Sequence, residues 1–344
     1  MSKKIMFIFT ILMIGSLLLA ACGPGESAGD ELLICQITDT GGIDDKSFNQ
    51  TAWKGIEDAM AELGVEGKYL ESQEVADYER NINAFLEEGC DLIITVGFLI
   101  GDATAAAAEA NPDDKFSIID YAYDPAIPNV VGQVFNTDEA AFLAGYAAAA
   151  VTQTGKVGTF GGLPIPTVTI FMKGFLEGVN YYNDVKGTNV EVLGYDLEDE
   201  TKGLFSMDFD DQQKGRELAV SLMDEGADII LPVAGPVGLG AAAAIQERGN
   251  AYVIGVDSDW FLTSPEYGNI TLTSVMKKMD ATTFQVIESV IDGTFTGGVV
   301  VGTLENEGVD IAPFHDLSNL ISAELQAELD QLKADIIAGR IDLQ

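Results

Sequence analysis

Hydrophobic positions along this chain alternate between two spacings almost from end to end. Short apolar runs of strand type fall at 32–38, 65–70, 91–96, 116–120, 130–135, 156–160, 190–195, 228–233, 251–256, 270–274 and 299–304. Between them lie longer segments with apolar positions three and four apart, which predict helices over 47–63, 78–88, 101–110, 138–152, 167–181, 210–224, 238–246, 279–291 and 323–337. In the first of these, Phe48, Ala52, Ile56, Ala59, Met60 and Leu63 share a face, and Gly64 ends the run. Ser47 followed three residues later by Gln50 predicts a capping box at its start. Strict alternation of strand and helix predicts an α/β fold with parallel sheets and right-handed crossovers. The order restarts near residue 138, which predicts two similar lobes, although no sequence repeat accompanies it. Ligands of such folds bind beyond the carboxyl ends of the strands. The polar or glycine-rich turns at 38–45, 97–98, 120–121, 161–162, 234–238 and 257–259 fall at that edge.

The first 21 residues stand apart from this pattern. Lys3 and Lys4 precede an almost unbroken apolar stretch, 5–19, of signal-peptide length. Leu19-Ala20-Ala21-Cys22 then has the form of a bacterial lipobox, predicting cleavage before Cys22 and lipidation of its thiol. Residues 22–30 have linker composition and read as a flexible tether. No later segment carries 18 uninterrupted apolar residues, so the body is expected to be membrane-tethered outside the cytoplasm through its lipid alone.

Composition narrows the chemistry. A hydrophobic content of 47% suits a folded body, and its length suits two domains. Acidic residues number 55 against 18 basic ones, a balance that repels nucleic acid and anionic lipid and suggests a saline or alkaline habitat. Cys35 and Cys90 lie in or beside apolar runs and read as two buried free thiols rather than a disulfide. A single histidine, His315, argues against a histidine metal site or a Ser-His-Asp triad. Asp39-Thr40-Gly41 matches the aspartic-protease tripeptide, but that chemistry needs two such aspartates on an all-β fold, and no second copy occurs. The Asp spacing does not fit a calcium loop, and the glycines fit neither dinucleotide nor triphosphate motifs. No cofactor, metal or catalytic residue is expected. What the strand ends do offer is aspartates and aromatic rings: Asp39, Asp120, Asp257 and Asp259 with Phe48, Phe98, Tyr121, Phe209 and Trp260. Rings stack on a heterocycle at roughly 1–3 kcal/mol each, and carboxylates accept N–H and O–H donors at roughly 1.5–3 kcal/mol each. The pattern suits a flat, uncharged ligand rich in hydroxyl and amine groups.

The run from Asp39 to Gln50, DTGGIDDKSFNQ, resembles the signature of the basic membrane lipoprotein family, the purine nucleoside receptor A-like substrate-binding proteins of ABC importers. Further stretches resembling that family follow in order, among them 95–98, 116–120, 142–146, 155–158, 173–179, 234–235, 254–259 and 273–277. The resemblance implies a type I periplasmic-binding-protein fold of two Rossmann-like lobes joined by a three-crossing hinge. The lobes are expected over 31–137 plus 262–296 and over 138–261 plus 297–344. It implies a monomer that closes on a purine nucleoside and delivers it to an ABC permease. Phe48 and Phe209 look like the two faces of a purine sandwich and Asp120 like the acceptor for the base edge. Asp257 and Lys277 look like ribose partners, and Asp39 and the backbone of Gly235 like further contacts. Rivals remain at this point: Phe205 for Phe209, Asp259 for Asp257, Lys278 for Lys277, a core role for Phe48, and turn or helix caps for Asp39 and Asp120; Asp44 and Asp45 read as helix N-terminal charges rather than ligands. Pro236-Val237 and the prolines of 161–166 depart from the glycine-rich sequence expected there and would reshape the wall. A flavin or other heterocycle is the alternative ligand, and an extracytoplasmic nucleoside hydrolase the alternative from another class.

Overall fold

Runs such as Leu-Ile-Ile-Thr-Val at 92–96 are buried at every position, which a strand achieves only when helices cover both faces of its sheet. A computed structural model describes residues 31–197 and 202–343. The leader 1–21, Cys22 and the tether to residue 30 lie outside the described residues.

From Leu33 onward the chain forms one compact unit built on two six-stranded sheets. The strands are β1 (Leu33–Ile37), β2 (Glu66–Leu70), β3 (Leu92–Val96), β4 (Phe116–Ile119), β5 (Val130–Phe135), β6 (Lys156–Gly161), β7 (Glu191–Leu193), β8 (Ile229–Val233), β9 (Tyr252–Asp257), β10 (Thr271–Lys277), β11 (Gly298–Gly302) and β12 (Val309–Ile311). The helices are α1 (Phe48–Glu62), α2 (Asp77–Glu88), α3 (Gly101–Ala110), α4 (Thr137–Val151), α5 (Pro166–Lys186), α6 (Gln212–Asp224), α7 (Pro236–Arg248), the short α8 (Trp260–Thr263), α9 (Met279–Ile291) and α10 (Ala323–Ile337). The first sheet runs β11-β5-β4-β3-β1-β2 and the second β12-β10-β9-β8-β6-β7. All pairings are parallel except β10 with β12. The two orders are the same, each with its first two strands inverted at one edge and a late strand at the other. This is the doubly wound arrangement of the type I binding-protein fold, with the switch point beside the first strand of each lobe.

The chain crosses between lobes three times: at Asn136, at Lys278, and through 303–308 between β11 and β12. The lobe boundaries expected beyond residue 261 need correction. β10, expected in the first lobe, pairs with β9 in the second sheet; β11, expected in the second, pairs with β5 in the first. α9 does belong to the first lobe, where Thr282 donates to the buried Gln133 of β5 at 2.5 Å. β11 is an edge strand whose alternate valines, Val299 and Val301, face outward. An edge strand of this pattern fits the rim of either sheet, so its apolar spacing does not say which one it joins.

Two further expectations are overturned. Cys35 and Cys90 form a disulfide with Cα atoms 6.1 Å apart, within the ordinary bridging range. Their apolar setting is real, but β1 and β3 are neighbours, and that places the two thiols face to face inside the first lobe's core. Ser47 does not cap α1. The Asp45 carboxylate does, accepting from the backbone N–H groups of Ser47, Asn49 and Gln50 at 3.0, 2.7 and 3.1 Å. The Ser47 hydroxyl is thereby left free to point elsewhere.

Candidate ligand-binding cleft

The strand ends of both sheets converge on one cavity enclosing about 610 Å³ of empty space, its mouth included. Asp39, Phe48, Asp120, Phe209, Gly235, Asp257 and Lys277 all line it. The structure also separates them from their rivals. Phe48 and Phe209 are each half-buried, one from either lobe, which removes Phe48 from the core. Phe205 pairs along the β6 edge through Gly161 and stays out of the lining. Asp259 caps α8 at the Phe261 N–H and lies 2.7 Å from His315 Nε2. Lys278 occupies the N-cap position of α9.

Asp120 and Asp257 follow or end equivalent strands, β4 and β9, and both sit in the left-handed backbone region, at φ 64° and 67°. Such a conformation costs a non-glycine residue of order 1–3 kcal/mol and turns the side chain off the strand direction. Both carboxylates are aimed at Lys277, whose Nζ lies 2.5 Å from Asp120 Oδ2 and 3.8 Å from Asp257 Oδ1. Lys277 is 3% exposed, so this trio is buried and spans the two lobes. Its ammonium also lies over the rings of Phe48 and Phe171, 5.1 Å from each centroid. Burial pushes both carboxyls above the ordinary range while Lys277 pulls each back down; in Asp257 the neighbouring Asp120 adds to the upward push.

At another wall, Asp39 Oδ1 accepts from the Tyr78 hydroxyl and from the Thr40 N–H, the latter at 2.7 Å. Burial raises its carboxyl above the ordinary range against those two bonds. Its other oxygen lies against Gly97, where an added Cβ would come within 2.2 Å of Asp39 Oδ2. Gly97, at φ 110°, therefore answers two demands that only glycine meets together. Gly162 does a similar service for Phe209, since a Cβ there would sit 2.1 Å from Cε1 of its ring.

Several lining residues are absent from the sequence-derived set. Thr167, Val168 and Phe171 come from the first turns of α5, Asn49 from the start of α1, and Pro236 from the start of α7. Pro236, which departs from the glycine-rich sequence expected there, lies in the wall at the first turn of its helix, where proline is tolerated. A Thr167–Phe171 pair four residues apart at a helix start was a readable signal for that face. Asp45 also borders the cavity, but its four donor contacts, including Asn49 Nδ2 at 3.1 Å, are spent on capping. Burial holds its carboxyl up at about 6 in spite of those contacts. Among the described residues no cluster of metal-ligating side chains occurs.

Comparison with known proteins agrees with this architecture. A family model described as ABC transporter substrate-binding protein PnrA-like, Bmp, matches residues 34–344. The ABC transporter nucleoside-binding protein BmpA of Lactococcus lactis subsp. cremoris is 31% identical, over 99% of both chains. An uncharacterized lipoprotein of Pyrococcus horikoshii is 28% identical over 97% of this chain and 82% of its own. A solute-binding protein of an ABC transporter system from Aeropyrum pernix superposes with a TM-score of 0.81 at 28% identity, covering 90% of this chain and 92% of that one. With one family model spanning both lobes and the cleft between them, the chain belongs to the Bmp family of PnrA-like ABC transporter substrate-binding proteins.

Proposed function

We propose that this protein is the lipid-anchored receptor of an ABC importer and that its cleft takes a purine nucleoside. One observation carries the reading: a single cavity is lined by a half-buried phenylalanine from each lobe, with buried carboxylates and one lysine between them. Phe48 and Phe209 supply the faces for a purine ring. Asp39 Oδ2 accepts from the base edge. Because Asp120 pairs with Lys277, this reading assigns it to the ribose end in place of the base edge that the resemblance suggested. Asp120, Asp257 and Lys277 instead form the end that takes ribose hydroxyls, offering acceptors and a donor together. A phosphorylated ligand meets three carboxyls against one ammonium and is rejected. The reading is supported by the nucleoside-binding description of the Lactococcus relative. The lobes close about the three crossings when ligand bridges them, and the closed monomer presents the outer faces of both lobes to a permease.

Calorimetry with inosine, guanosine, adenosine, inosine monophosphate and riboflavin tests the ligand. A micromolar or tighter nucleoside dissociation constant is expected, corresponding to about −8 kcal/mol or better, with no binding of the monophosphate. Binding of riboflavin alone would replace the nucleoside by a flavin, and release of free base from inosine would make the protein an enzyme. The anchor is assigned to Cys22. The Cys35–Cys90 bridge supports an oxidising compartment. Mass spectrometry of the purified membrane form should find a thioether lipid on Cys22, and Cys22→Ser should release the protein to the medium.

A further inference from the structure

The loop before α1 reaches across the seam between the lobes. The Ser258 hydroxyl donates to the Lys46 carbonyl at 3.0 Å, and Lys46 Nζ pairs with Glu266 at 3.1 Å. Deeper in, Ser47 Oγ lies 3.0 Å from two oxygens of the second lobe, the Val256 carbonyl and Asp257 Oδ2. All three residues are buried, Ser47 at 2% exposure. A hydroxyl has one proton to give. A carbonyl only accepts, and so does an ionised carboxylate. An ionised Asp257 leaves the single Ser47 proton shared in a bifurcated bond; both contacts become full hydrogen bonds when Asp257 carries a proton on Oδ2 and gives it to Ser47 Oγ, which in turn gives its own to Val256.

The charges facing Asp257 favour that arrangement. Lys277 of β10 is 3.8 Å away but sits 2.5 Å from Asp120, the carboxylate it neutralises. Asp120 approaches from the first lobe and Asp45 from the start of α1, both acidic. Asp259, two residues on, is turned to His315. Lys277 supplies one positive charge to Asp120 and Asp257; the pair balances when one of the two is neutral, and Asp257 is the one farther from the ammonium. Burial, the largest influence on Asp257, pushes in the same direction and, with Asp120, outweighs the downward pull of Lys277 and of a hydrogen bond from Ser47.

We propose that Ser47 is a positioning residue of the ligand site and that closing the lobes takes up one proton from solvent at Asp257, through the relay Asp257 Oδ2–H to Ser47 Oγ–H to Val256 O. In the open form Asp257 is hydrated and ionised; in the closed form it is the neutral acid, its second oxygen left as a pure acceptor toward the cavity. The inference rests on the hinge-closing nucleoside reading above. It makes the receptor's affinity for a neutral ligand rise as pH falls.

The direction of one pH effect decides the matter. Inosine affinity is measured by calorimetry at pH 5.5 and 8.5 for the wild type, Ser47→Ala, Asp257→Asn and the double variant. With the relay, the Ser47→Ala loss is larger at pH 5.5, by roughly fivefold or more, because only the protonated acid makes both bonds in full. In the Asp257→Asn background, where an amide N–H replaces the acid proton, the Ser47→Ala loss becomes the same at both pH values. If Ser47 instead donates to an ionised carboxylate, its loss is larger at pH 8.5, and that result, or equal losses at the two pH values with Asp257 intact, overturns the proposal. Failure of wild type to bind inosine at either pH defeats the nucleoside reading and leaves the relay to small-angle scattering of the ligand-free protein. There the wild type should be more compact at pH 5.5 than at 8.5 and Ser47→Ala should not; no difference in the wild type overturns the relay independently.

Discussion

The two lobes share one strand order and furnish one cavity, yet they furnish it differently. The first lobe brings mostly polar groups: Asp39, Thr40, Asp45, Asn49 and Asp120, with Phe48 and Phe98. The second brings mostly apolar surface, Ile165, Val168, Phe171, Phe209, Val233, Pro236 and Val256, with the buried Asp257 and Lys277. One backbone device survives in both: the aspartate at the end of β4 and that at the end of β9, each at positive φ and each facing the same lysine. The comparison teaches that such a fold repeats backbone positions more faithfully than it repeats side chains. The core differs too, since only the first lobe is stapled by a disulfide among the described residues.

Removing the lysine that both aspartates share breaks this symmetry most severely. Lys277→Met leaves two buried carboxyls without an ammonium and should cost about 3–5 kcal/mol in denaturant unfolding, while Lys278→Ala should cost nothing measurable. Next in size is the staple. Reducing Cys35–Cys90 should lower stability by about 2–4 kcal/mol, and hydrogen exchange should accelerate in β1, β3 and α2 but not in β6 to β10. Equal acceleration in both lobes would mean that they do not open separately. Phe209→Ala should weaken inosine binding by about 1–3 kcal/mol, some five- to 150-fold, with a melting shift of only a few degrees, because its ring is half-buried. A large melting drop would return Phe209 to the core. The last effect is electrostatic. The folded value of the Asp45 carboxyl, about 6, is raised above its unfolded one, near 4. Its contribution to stability is therefore full below pH 4 and is lost as pH rises through 6. Asp45→Asn should flatten the stability profile over that window relative to wild type, as read from urea midpoints at half-unit steps.

Much of the fold was legible because buried parallel strands and covering helices leave opposite signatures in the apolar spacing. The cleft residues were legible because polar groups directly after such strands, as at Asp120 and Asp257, have no core role to play. What could not be read depends on neighbours remote in sequence. Cys35 and Cys90 pair because β1 lies beside β3, and β11 belongs to the first lobe because β5 offers it an edge. Ser47 read as a helix cap because its local sequence fits one. Asp45 takes that duty two residues earlier, and the partners of the serine, Val256 and Asp257, lie more than two hundred residues away.

The threefold passage of the chain between lobes bears on how the molecule is assembled. The first lobe is begun first, yet its sixth strand arrives with residues 298–302, after five strands of the second have been synthesised. Until then β5 presents a bare rim of backbone donors and acceptors to its surroundings. Neither lobe corresponds to a single fragment that could be cut out and made alone, and any truncation before residue 302 leaves the older lobe unfinished.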